Sequence, residues 1–578
     1  MLNSQNQSSE QRHEMNREDI QVRSGGRILV ESLRIHGVDT IFCVPGESYL
    51  DVLDALYDAR DVKVIVCKHE GAAANMAEAD GKLTGRPGIC FVTRGPGATH
   101  ASVGVHTARQ DSTPMILFIG QVHRGFRDRE AFQEVDLRQM FGPLAKWAAE
   151  IDDPARIPEY VARAFQTATS GRPGPVVLAL PEDVLTQAVR VADVSPFRPA
   201  QSAPLAADLA ALRSELALAQ RPLVIVGGGG WTSDACRDVM AFAESNGLPV
   251  AASFRRQDLF DNGNDHYVGH LGLGIDPRLA ENVRAADLLI AIGSRLGDVT
   301  TGGYRLIESP RPKQRLVHVH ADPEELGRVF QADVAINSGM PAFAAALQTL
   351  AAFKNPLWSS WRTELRRNLV AFGQVPAPSA EYRGVHLATV VAHLADVLPR
   401  DAIVSNGAGN YTVWVHRFHR YRQFGTELAP TSGSMGYGFP AAVAAKLRHP
   451  KRTVVCFAGD GCFLMYPQEL ATAAQHGVAV IVIVVNNGMY GTIRMHQERR
   501  FPGRVSGTDL ATPDFVALAR SFGAFAERVE KTEDFAGAFV RAQSAGVPAL
   551  LELRVDPAQI TPNARLAGGS QRAPENKK

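Results

Sequence analysis

The sequence predicts an α/β protein built of three doubly wound parallel-sheet domains. Two observations carry that prediction. Short β-branched runs alternate with Gly-rich turns and Ala-rich stretches of helical length along most of the chain, the pattern of strand–helix–strand units. The longest apolar run, VAVIVIVV at 478–485, is far short of the ~20 residues of a membrane span and matches a strand buried on both faces.

The first block, about 20–190, offers strands at TIFCV, KVIVC, GICFV, PMILFIG and PVVLALP. A Pro- and Ala-rich stretch, VSPFRPAQSAPLAAD, separates it from a second block, about 205–350, with strands at PLVIVG, LPVAAS, DLLIAIG and RLVHVHA. The third block, about 385–560, has AIVSNG, TVVCFAG, AVIVIVVN and ALLELRV. Residues 1–19 and 561–578 are polar and read as disordered tails.

The 578 residues carry 61 Lys+Arg against 60 Asp+Glu, a balance that argues against a nucleic-acid or anionic-membrane partner. The six cysteines form no C-x-x-C pair and several sit in apolar runs, so they read as small reduced core residues of a cytoplasmic protein. The polar N-terminus lacks the apolar segment of a signal peptide.

The chemistry concentrates in residues 453–491, which read as strand, Gly-Asp-Gly turn, helix, strand, Asn-Asn. A right-handed crossover puts Asp460 and Asn487, 27 positions apart, at the same carboxyl edge of a sheet, where open α/β sheets bind ligands. A carboxylate and an amide oxygen there suit Mg²⁺. Gly459 and Gly461 let the backbone approach a diphosphate, and the following helix can offer its N-terminal amides. GDG and NNG are each common turns when taken singly.

GDG followed by 24 residues and NN resembles the diphosphate motif of thiamine-diphosphate-dependent enzymes, and the chain from about 20 to 560 resembles their acetolactate synthase and 2-oxo-acid decarboxylase group. The resemblance implies that the three blocks are pyrimidine-binding, central and diphosphate-binding domains. It implies thiamine diphosphate held through Mg²⁺ on Asp460, Asn487 and the Met489 carbonyl, with Gly459 and Gly461 beside it. Glu70 in VIVCKHEGAAANMAEADG would face N1′ of the aminopyrimidine. In APTSGSMGYGFPAAVAAK, Met435 would wedge the cofactor into its bent shape, and the Gly433 carbonyl would accept from its 4′-amine. Gly46, Phe132, Gln133 and Lys146 match residues that line the substrate channel of acetolactate synthase, Gln133 among those close to the chemistry.

The activity so implied is decarboxylation of a 2-oxo acid, pyruvate, followed by carboligation, as in branched-chain amino acid biosynthesis. In this family Glu70 and the diphosphate site come from different subunits, which implies a homodimer or homotetramer, and a small regulatory subunit stays open. Adjacent histidines of the kind pyruvate decarboxylases use are absent from this sequence. The chain departs from the synthase pattern where NNGMYGTIRMHQER puts His496 at a tryptophan position. With RRQDLFDN this keeps open a decarboxylase or carboligase for a bulkier or aromatic 2-oxo acid, beside a non-catalytic family member. Arg295 and Asp322 match a central domain that holds FAD without redox use, but GSRLGDVTTG lacks the second Asp-Arg pair, so FAD stays open. GGGG at 227–230 is misplaced for a nicotinamide fingerprint.

Overall fold

The computed structural model describes residues 21–566, so the expected tails at 1–19 and 567–578 lie outside the described residues. Three six-stranded sheets, every neighbouring pair parallel, form the framework. They fall into two compact units. One holds the first sheet, through Glu78 with Arg86–Arg109 and Pro114–Ala200; the other holds Ala79–Gly85, Gln110–Thr113 and the chain from Gln201 on.

The first sheet runs in the order Lys63–Val66, Thr40–Cys43, Gly88–Val92, Met115–Gln121, Pro175–Pro181, Trp147–Glu150. Its strand order reverses between Thr40–Cys43 and Gly88–Val92, so a crevice opens at the carboxyl ends of those two strands. The helices Glu70–Thr84 and Gly95–Asp111 follow two of these strands. Ala72, Ala73, Ala74, Met76 and Ala77 are all fully buried, because small side chains let this helix pack on several sides at once.

The second sheet is ordered Tyr267–His270, Val250–Ala252, Pro222–Val226, Leu288–Ile292, Arg315–His320, Val334–Asn337. Its core runs past the expected boundary at 350: Trp358, Trp361 and Leu365, at and within the helix Ser359–Phe372, belong to it. Trp361 Nε1 donates to the Pro222 carbonyl at 3.0 Å, and Trp358 Nε1 to that of Asn246 at 3.0 Å. Two isolated tryptophans in polar sequence gave no periodic signal, yet each buries a large apolar ring and pairs its N–H.

The third sheet is ordered Glu427–Leu428, Ile403–Asn406, Val454–Gly459, Ile481–Asn486, Ala549–Arg554, Phe525–Val529. Its order reverses between Ile403–Asn406 and Val454–Gly459. A hairpin pairs Gln559–Thr561 with Ala564–Arg565, so residues 561–566, expected as part of a tail, are tied down. None of the six cysteines is in a disulfide, and all are buried. Among the described residues no helix is long and apolar enough to cross a membrane.

Candidate functional site

The reversal point in the third sheet opens into a cavity of about 270 Å³, lined among others by Gly409, Gly433, Met435, Asp460, Asn487 and Met489. The register of Val454–Gly459 on Ile481–Asn486 pairs Gly459 with Val485, which brings the two motif ends together. Asp460 is buried: its Oδ1 accepts the Gly461 N–H at 2.9 Å and its Oδ2 the Gly488 N–H at 2.8 Å. Burial pushes its pKa up to about 6 against the pull of those N–H groups. A carboxylate removed from water at a strand end, with charge only partly compensated, is a place for a cation.

Asn487 Oδ1 accepts the Met489 N–H at 3.2 Å, and the Met489 carbonyl accepts that of Gly491 at 2.9 Å. The segment is clamped from outside: Tyr490 N–H donates to Thr508 O at 2.8 Å and Leu510 N–H to Gly488 O at 2.9 Å. The donors Asp460, Asn487 and the Met489 carbonyl are all hard oxygens, the set Mg²⁺ prefers. The helix after Asp460 differs from the expectation. It spans only Asp460–Phe463 before a break and Glu469–Gln475, and its Gly461 amide is already bonded to the Asp460 side chain.

Two of the glycines lie against aromatic rings of the protein itself. A Cβ on Gly459 would stand 3.2 Å from the Tyr411 ring, and one on Gly461 2.6 Å from that of Tyr490. At Gly433, with φ +68°, a Cβ would meet nothing within 4 Å and would intrude on the cavity itself. Met435 is half-buried against the third core and also lines the cavity. The residues present therefore fit a cofactor with a metal-bridged anion.

Sequence reasoning missed Asn410 and Tyr411. Thr492 Oγ1 donates to Asn410 Oδ1 at 2.8 Å, while the Tyr411 hydroxyl accepts the Gly407 N–H at 3.0 Å and reaches Cys462 Sγ at 3.4 Å. Neither residue lies in a recognisable motif, since SNGAGNYTVW reads as an ordinary strand end.

In the first unit, Glu70 begins the helix Glu70–Thr84. Its Oε2 lies 2.9 Å from His100 Nδ1. Gly97 lies against the other oxygen, a Cβ there being 3.6 Å from Glu70 Oε1. Gln133, at φ +64°, lays its carbonyl 2.7 Å from the position of a Cβ on Gly95, so Glu70 and Gln133 meet the same Gly95–Gly97 turn. Gly46 packs on Thr93 across the crevice. Phe132 beside Gln133 is 72% exposed. Lys146 is turned away from this group, its Nζ donating to the Ser170 carbonyl at 2.6 Å. Adjacent histidines are absent from the sequence, yet the fold brings the rings of His69 and His100 together, tilted by 30° with centroids 4.7 Å apart.

In the second unit, RRQDLFDN does not face the cavity. Arg255 reaches the Pro430 carbonyl at 2.5 Å, Gln257 N–H donates to Glu427 Oε2 at 2.6 Å, and all of Arg255, Arg256, Gln257 and Asp258 are buried. That segment thus gives no support to a bulkier substrate. His496 is exposed on the helix Gly491–Arg500. Arg295 donates to the Gln110 carbonyl at 2.9 Å, and Asp322 caps the turn at Glu324. A separate cavity of about 300 Å³ lies nearby, lined by Gly272, Arg284, Thr300, Thr301 and Arg305.

Three family models match the chain in order. The N-terminal thiamine pyrophosphate binding domain covers residues 23–140, the central domain 209–347 and the C-terminal thiamine pyrophosphate binding domain 407–553. The acetolactate synthase large subunit of Parasynechococcus marenigrum is 36% identical over 551 residues, 93% of this chain and 88% of that protein. The chain belongs to the thiamine pyrophosphate enzyme family. The acetolactate synthase large subunit of Corynebacterium glutamicum is 34% identical over 90% of this chain and 84% of its own length. The large subunit of acetolactate synthase isozyme 2 from Escherichia coli is 31% identical over 92% of this chain and 96% of its own.

Proposed function

We propose that the protein decarboxylates pyruvate with thiamine diphosphate and Mg²⁺ and joins the two-carbon unit to a second 2-oxo acid, as an acetolactate synthase. The observation that carries this reading is the buried Asp460 carboxylate facing Asn487 in a cavity at the sheet's reversal point. The cofactor supplies an electron sink for the carbon that loses carbon dioxide.

The protein's part is binding and proton placement. Asp460, Asn487 and the Met489 carbonyl hold Mg²⁺, and the bare backbone at Gly459 and Gly461 accommodates the diphosphate. Met435 and Gly433 line the cavity, where Met435 would wedge the cofactor and the Gly433 carbonyl would accept from its 4′-amine. Glu70 would exchange a proton with the aminopyrimidine of a cofactor bound to a second chain, the working unit in this reading being a homodimer or homotetramer. Gln133, Gly46, Phe132 and Lys146 belong to the substrate channel in this reading.

The central cavity of about 300 Å³ is not lined by Arg295 or Asp322, the two residues that match the flavin-holding pattern. No step is assigned to a flavin. Release of flavin fluorescence on denaturing the purified protein would restore it. The relatives' printed names, "large subunit", support a search for a smaller partner by co-purification. Six buried cysteines without a disulfide support the reading of a cytoplasmic location.

The deciding experiment supplies pyruvate, pyruvate with 2-oxobutyrate, and benzoylformate to the protein with thiamine diphosphate and Mg²⁺. Carbon dioxide with acetolactate is expected from pyruvate. A clear preference for the aromatic acid would replace the proposal with the decarboxylase reading, and the absence of any turnover with cofactor bound would replace it with the non-catalytic one.

A further inference from the structure

Glu70 has a partner that binding a cofactor does not require. Its side chain is 15% exposed, whereas that of His100, on the neighbouring helix Gly95–Asp111, is 51% exposed. In the single chain the His100 ring is thus the more solvent-accessible member of the pair. The two carboxylate oxygens are differentiated: Oε2 is on His100 Nδ1, while Oε1, beside Gly97, takes no hydrogen bond from a described residue. One oxygen is left for the cofactor and the other is wired to an imidazole.

His69 completes the arrangement. Its Nδ1 accepts the Gly71 N–H at 3.0 Å, so the neutral ring carries its proton on Nε2. Burial, and next the neighbouring His100, push its pKa down, with Glu70 opposing, so His69 stays a neutral ring backing its neighbour. The remaining titratable group coupled to Glu70 is Cys90, fully buried and held as the thiol.

We propose that His100 is a positioning residue and proton relay for Glu70, connecting a carboxyl group that must gain and lose a proton to bulk water. The inference rests on the reading of Glu70 as the group that faces the aminopyrimidine. The step balances without electron transfer. The Oε2–H bond of Glu70 breaks as Nδ1–H of His100 forms, and Nε2–H of His100 breaks as water takes that proton. The reverse sequence reloads Glu70. A merely structural partner would need only a donor at Nδ1, which an asparagine also offers; the relay needs a ring with two exchangeable nitrogens.

The test is solvent exchange of the cofactor's C2 proton in the holoenzyme. The protein with thiamine diphosphate and Mg²⁺ is mixed with D₂O without any 2-oxo acid, quenched, and read by NMR, with cofactor affinity measured by calorimetry. Glu70→Gln should abolish the exchange. His100→Ala and His100→Asn should slow it by about 100-fold, the lower end of what a positioned acid–base group supplies, at unchanged cofactor affinity. Free imidazole should restore the rate in His100→Ala. Exchange lost in Glu70→Gln but at the wild-type rate in His100→Ala overturns the relay and leaves the Glu70 reading intact. A His100→Asn variant that exchanges normally reduces His100 to a holder and equally overturns the relay. Exchange that survives Glu70→Gln removes the Glu70 reading and the relay with it.

Discussion

Gly104→Ala tests how far the Glu70 arrangement depends on the approach of two helices. Gly104 lies within Gly95–Asp111, and a Cβ added there would stand 2.4 Å from the Ala74 Cβ and 2.7 Å from its carbonyl carbon, on the helix Glu70–Thr84. Ordinary contact begins at 3.4 Å, so the helices must part by about 1 Å, and backbone on both sides leaves no flexible side chain to yield. Overpacking of this kind costs roughly 1–3 kcal/mol, while alanine in a helix interior returns up to about 1 kcal/mol relative to glycine. The net loss of about 1–2 kcal/mol corresponds to a Tm roughly 2–8 °C lower for a domain of this size.

The same displacement, applied to the 2.9 Å contact between Glu70 and His100, takes it beyond hydrogen-bond range. Turnover should fall by up to about 100-fold, as a misplacement near 1 Å does elsewhere. Differential scanning calorimetry and steady-state carbon dioxide release measure the two effects. Gly297→Ala, where a Cβ meets nothing within 4 Å, serves as the control. A Gly104→Ala protein with wild-type Tm and turnover would refute the helix-packing argument.

Other outcomes follow from the same geometry. Asp460→Asn removes the one charged metal donor and should weaken Mg²⁺-dependent thiamine diphosphate binding at least about 100-fold in calorimetry, roughly 2.8 kcal/mol. Met435→Ala, at a half-buried position, should cost about 1–2 kcal/mol of stability and weaken cofactor binding without altering the Mg²⁺ dependence. Burial, and next the neighbouring Asp258, raise the Glu427 pKa to about 8. The folded protein therefore keeps a proton that the unfolded chain releases above 4.5, and stability falls as pH rises from about 4.5 to 8. Glu427→Gln should flatten that limb in Tm measured against pH. His270 works in the opposite direction: burial lowers its pKa from 6.5 to about 4, so its contribution is complete above 6.5 and is lost as pH falls toward 4.

The central strands of all three sheets were legible because each is buried on both faces and reads as an unbroken β-branched run, as IVIVVN does. The strands that escaped notice are edge strands: Trp147–Glu150, Tyr267–His270, Val334–Asn337, Glu427–Leu428 and Phe525–Val529. WAAE is half-exposed along its length, and YVGH is buried but carries a glycine and a histidine, so neither shows an apolar run. Edge strands gain pairing on one side only and need less apolar sequence to hold their place.

Asp460 and Asn487 were readable together because a strand–helix–strand crossover has one handedness and one length scale, which fixes where its two ends meet. The spacing did not reveal that the Gly461 amide bonds back to Asp460, nor that RRQDLFDN is packed into a buried polar cluster around Glu427. His69 and His100 are 31 residues apart in sequence and become neighbouring rings only because two helices follow different strands of one sheet and cross at Gly104. The sequence by itself determined the central strands of the three sheets and the crossover that brings Asp460 and Asn487 to one cavity, since both are written in local periodicity. Only the tertiary structure decided which charged groups face a cavity and which face each other, because those choices depend on side-chain direction across elements distant in the chain.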